Sequence, residues 1–136
     1  MVICDGVHRD PTTGKITILG TFSNFAATRY PAQIQFFIYF AVTDGLGPTT
    51  LRIQILDAHA GFIDAQNDED AEGRILAIKT EGNFPSPLAV VESALGIGAE
   101  IPNPGTYHCE LWAGNELLMS RRFIATLIRD EKEEKQ

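Results

Sequence analysis

Cys4, Asp5, His8 and Asp10 stand close together in the opening stretch VICDGVHRDPTTGKITILG. A thiol, an imidazole and two carboxylates are side chains of nucleophilic catalysis and of zinc binding. Their spacing weakens both readings. On an extended segment Cys4 and Asp5 point to opposite sides, because successive strand side chains alternate. His8 then lies about 13 Å along the strand from Cys4, too far to act as base for its thiol. Cys4 is therefore read as a small buried residue, with His8 and Asp10 framing a turn. Asp5 stands apart: an acid in an apolar strand beside Gly6, expected to bond backbone groups at an edge or bulge.

Two further sets have reactive types. Cys4, His8, His108 and Cys109 are zinc-ligand types, but His108 and Cys109 are neighbours on one strand and diverge. The stretch DAHAGFIDAQNDEDAEG brings Asp57, His59, Asp64, Asp68, Glu69, Asp70 and Glu72 together. Counted from Asp64, an EF-hand loop would need glycine where Glu69 stands and glutamate where Ile75 stands. A solvated acidic loop is the expectation, with Asp64, Asp68 and Asp70 as the weak calcium candidates. No phosphate-cradling glycine loop or serine elbow is present. The residues thus point to no catalytic group, no cofactor and no firm metal site.

The elements that would position these groups are strands. QIQFFIYFAV sets Ile34, Phe36, Ile38, Phe40 and Val42 on one face and Gln33, Gln35, Phe37, Tyr39 and Ala41 on the other. TTLRIQILD alternates likewise, and with the turn DGLGP between them the two read as an antiparallel pair. VICDGV and KITILGTF flank a turn in which Asp10-Pro11 initiates and Gly14 supplies a left-handed residue. GTYHCELWA and ELLMSRRFIATLI form a late hairpin across Gly114-Asn115. GRILAIKTEG is a shorter strand. SPLAVVESALGIG carries both helical and strand signals, and its neighbours favour the strand. These segments imply an all-β fold, an antiparallel β-sandwich of about seven to nine strands with immunoglobulin-like or related topology. One domain over 1–129 is expected, followed by a charged, frayed tail over 130–136.

The net charge of −7 argues against nucleic acid, which needs clustered Lys and Arg. No apolar run reaches the length of a membrane span, and no signal-peptide pattern opens the chain. A cytoplasmic protein with free thiols is the expectation.

PNPGTYHCELWAGNELL resembles the late hairpin of immunoglobulin-like sandwiches, where a Tyr after a Pro-Gly turn ties its hydroxyl to the backbone. Gly105, Tyr107 and Cys109 fit that spacing as structural residues. Trp112 departs from the antibody type, which needs a core Trp on an earlier strand. The whole chain also resembles a family of short, uncharacterised bacterial proteins that open on Ile-Cys-Asp and close on Pro-Gly-x-Tyr, here ICDGVHRDPTTGKITILGTF and NPGTYHCELWAGNELL. That resemblance implies a bacterial β-sandwich and lends no catalytic residues. Phe37, Tyr39 and Trp112, aromatic where an outer face would be polar, are the interface candidates. They point to a non-catalytic protein-protein contact module, homodimeric or with a separate partner. A small-ligand or calcium-binding sandwich using 57–72 is the alternative, and an enzyme comes third.

Overall fold

The computed structural model describes residues 1–58 and 74–128. Alternating sequence becomes alternating burial. In β4 (Ala32–Val42), Ile34, Phe36, Ile38 and Phe40 are buried while Gln33, Gln35 and Phe37 are exposed. The other strands are β1 (Val2–Arg9), β2 (Ile16–Thr21), β3 (Asn24–Ala27), β5 (Gly47–Asp57), β6 (Arg74–Phe84), β7 (Val91–Ile101), β8 (Gly105–Ala113) and β9 (Glu116–Leu127). The 86–98 stretch is a turn followed by β7 and not a helix, as its neighbours suggested.

The nine strands form a four-stranded sheet, β2-β1-β4-β7, and a five-stranded sheet, β3-β9-β8-β5-β6. The expected opening and closing hairpins are there. Asp10 caps the first turn by accepting from the Thr12 and Thr13 amides at 2.8 and 3.2 Å. Gly14 completes that turn at φ 72°, a conformation that favours glycine.

Two expectations are corrected. QIQFFIYFAV and TTLRIQILD are not partners: β4 pairs β1 and β7, whereas β5 pairs β6 and β8. Both strands bury a full apolar face, and laying those faces against each other buries more than edge-to-edge pairing would. The DGLGP link therefore crosses between sheets, with Asp44 at φ 67°. Nor is the pairing wholly antiparallel, since β3 runs parallel to β9. That four-residue strand carries too little alternation to be visible in the sequence.

One core lies between the sheets. It joins Ile3, Ile34, Phe36, Ile38 and Phe40 on one side to Leu51, Ile53, Ile55, Tyr107, Cys109 and Phe123 on the other. Each such side chain contributes about 1.5–3 kcal/mol on burial. Aromatic rings cross it in sequence: Phe22 meets Phe36 edge-on at 6.0 Å, Phe36 meets Phe123 at 6.4 Å, and Phe123 stacks on Tyr107 at 5.5 Å. The Tyr107 hydroxyl donates to the Asn103 carbonyl at 2.6 Å, the backbone tie its spacing implied. In β9 a register irregularity opposite Leu111 and Trp112 changes the alternation. It leaves Leu117 exposed while Leu118 packs on the core.

Candidate functional site

The fold takes the opening cluster apart. Ile3 pairs Ile38 on the core side, and Cys4 pairs Phe37 on the other. Cys4 is fully buried outside the shared core, its Sγ donating to the Phe37 carbonyl at 3.6 Å. His8 is exposed and sits opposite Thr17. Burial pushes the Cys4 thiol up, and it pushes Cys109 up to about 12. A thiol held there stays protonated at neutral pH and is a poor nucleophile. Both cysteines should therefore resist iodoacetamide in the folded protein and label fully after denaturation, read by mass spectrometry. Rapid labelling of either without unfolding would contradict this burial.

Among the described residues no three Cys, His, Asp or Glu side chains gather to hold a metal. Asp64, Asp68 and Asp70, with the rest of 59–72, lie outside the described residues, as does the 130–136 tail.

Asp5 is where the fold opens. β1 pairs β4 only from Val2 to Cys4, opposite Tyr39 to Phe37. Beyond Cys4 the two strands part, and two shallow clefts of about 390 Å³ each lie at the opening. Asp5, Gln35 and Phe36 line both. One cleft runs over Phe37, Gly96 and Gly98 towards β7, and the other reaches Asn24, Phe25 and Ala26 of β3. Asp5 is exposed rather than tied into a bulge. Its carboxylate rests on Gly20, which sits at φ 66° with no room for a side chain: a Cβ there would lie 2.6 Å from Asp5 Oδ2. The sequence marked Asp5 as a structural acid expected to bond backbone groups at an edge or bulge; the fold places it exposed at the edge, its carboxylate against Gly20. Gly96 and Gly98 lie inside β7, in the SPLAVVESALGIG stretch whose mixed helix and strand signals mark no site. Glycines inside a strand also signal a surface that something can approach closely.

The outer face of the four-stranded sheet continues this site. Phe37 is 36% exposed with its ring beside Gly96, and Leu19 is 53% exposed above Gly6. Beside them the Tyr39 hydroxyl donates to Glu92, which pairs with Arg9 at 3.7 Å, so one polar link spans β1, β4 and β7. The hydrogen bond to Glu92, more than burial, raises the Tyr39 hydroxyl above its ordinary value. Trp112 does not belong to this surface. It is 3% exposed on the other sheet and donates to Glu110 at 3.2 Å, so its ring is not free to meet a partner. Glu110 also accepts from the buried Gln54 at 2.8 Å.

A family model covers residues 1–126, that of the DUF6941 family, described as a family of unknown function, and the chain belongs to it. No curated protein matches the chain in sequence.

Proposed function

We propose that this member of the DUF6941 family is a bacterial, cytoplasmic β-sandwich of immunoglobulin-like type that acts by protein-protein contact and not by catalysis. The observation that carries this reading is the outer face of the four-stranded sheet. Phe37 and Leu19 stand exposed over Gly96 and Gly6, where a solvated face would carry polar side chains. The cleft at Asp5 adjoins it and supplies polar groups at its border, the arrangement of an apolar patch with a polar rim.

The finer parts of the reading have their own support. The order β3-β9-β8-β5-β6 opposite β1-β4-β7, with the Tyr107 tie at the start of β8, suits an immunoglobulin-like arrangement. Two unpaired, buried thiols suit a reducing compartment. No helix among the described residues is long and apolar enough to cross a membrane.

A photo-crosslinking residue at position 19, in the organism that makes the protein, tests the contact. Leu19 should give a discrete adduct that weakens in a Phe37→Ser background. The same probe at Leu88, 89% exposed between β6 and β7, should give none. An adduct of twice the chain mass would identify a second copy as the partner. No adduct from position 19, or equal adducts from both positions, would overturn the reading.

A further inference from the structure

We propose that the groove centred on Asp5 receives an extended basic segment of a partner protein, added as a strand along the vacated edge of β4 with a Lys or Arg on Asp5. The inference rests on the protein-contact reading above and specifies the chemistry of the partner.

The edge comes first. From Ala32 to Phe36, β4 is paired with β7 on one side only. Among the described residues no turn or loop backbone bonds to this stretch either. In an antiparallel sheet alternate residues direct both N–H and C=O to the same side. Two or three of the five residues Ala32–Phe36 therefore present backbone groups to the space β1 has left. Such an edge is a template for an incoming strand, whose main chain binds regardless of its sequence.

The space and the charge then choose the strand. The two clefts meet at Asp5, Gln35 and Phe36, so a chain lying along the β4 edge passes the carboxylate. Gly98 leaves open space above the adjoining floor, where a partner side chain can settle. Arg9 is drawn to Glu92 rather than to Asp5, and among the described residues no cation pairs with Asp5. Its carboxylate lies against Gly20, where a side chain would displace it. An uncompensated carboxylate in a chain of net charge −7 attracts cations and repels acidic strands. A small amine would satisfy Asp5 and leave the edge bare. A basic strand satisfies both.

The test is an amide chemical-shift titration of the full chain with a short blocked peptide of alternating valine and threonine carrying one central arginine. Shifts should gather at Gln33–Phe37, Gly96 and Gly98. The same peptide with glutamate for arginine should bind about tenfold more weakly or less, and Asp5→Asn should cost the arginine peptide about tenfold. Added salt should weaken binding of the arginine peptide to the native chain. Asp5→Asn replaces an exposed group by one of the same shape, and an otherwise unchanged spectrum would establish that the fold is intact. No shifts in these amides, shifts gathered on another edge such as β6, or equal affinity in Asp5→Asn would each overturn the proposal. A crosslinked adduct from position 19 without peptide binding would leave the contact reading standing and remove the basic strand alone.

Discussion

Phe123→Ala should destabilise the protein by about 3–5 kcal/mol, the usual cost of removing a large buried ring. Phe123 is 1% exposed on β9, stacked on Tyr107 at 5.5 Å and meeting Phe36 of the opposite sheet at 6.4 Å. It touches both layers, so the void cannot close by a shift of one strand. The row of four rings from Phe22 to Tyr107 loses one of its two middle members. With domains of this size typically stable by about 5–15 kcal/mol, the loss is a large fraction of the whole. The melting temperature should fall by roughly 10–20 °C, read by circular dichroism with denaturant melts for the free energy. Phe37→Ala is the internal contrast: that ring is 36% exposed on the outer face, and its loss should cost about 1 kcal/mol or less. If Phe123→Ala cost no more than Phe37→Ala, the ring sequence would not be what joins the sheets.

How far the fold is legible in the sequence depends on which contacts a residue pattern encodes. Hairpins are local: Asp10-Pro11 through Gly14, and Gly114-Asn115, specify their turns, and β1–β2 and β8–β9 follow. The tie from Tyr107 to Asn103 spans only a few residues and is equally readable. Pairing between β4 and β5 is a different kind of question. Alternation shows that each has one buried face, and both a hairpin and a face-to-face crossing satisfy it. The crossing wins on the apolar area it buries, a quantity no short window contains. β3 is legible in neither way. It is short, and its parallel partner β9 lies about a hundred residues on.

The candidate site divides along the same line. Phe37 is exposed as its parity implied, and Tyr39 is half-covered through Glu92. Trp112 has the same parity signal and is buried. Parity reports which side of a strand a residue takes, not whether that side is covered. Asp5 shows the converse. Its type drew attention, but its setting comes from where β1 leaves β4, a long-range feature that no short stretch of sequence encodes.

Gly20→Ala should therefore act twice, on stability and on the groove. At φ 66° an alanine carries the left-handed penalty of about 1–2 kcal/mol. Its Cβ would also lie 2.6 Å from Asp5 Oδ2 and 3.2 Å from Asp5 Cβ, so the acid must move. The two costs together should reach about 2–3 kcal/mol in a denaturant melt. Asp5→Ala alone, at an exposed position, should stay within about 0.5 kcal/mol. The double variant separates the causes. With the carboxylate removed, only the backbone penalty and the smaller Cβ contact remain, so Gly20→Ala should cost about 1 kcal/mol less in the Asp5→Ala background than in the native one, a coupling expected only for residues in contact. Strict additivity would mean that the acid yields freely and is not held by Gly20. The basic-strand proposal would then lose support, because a carboxylate that swings in solvent selects a cation far more weakly than one seated in the groove.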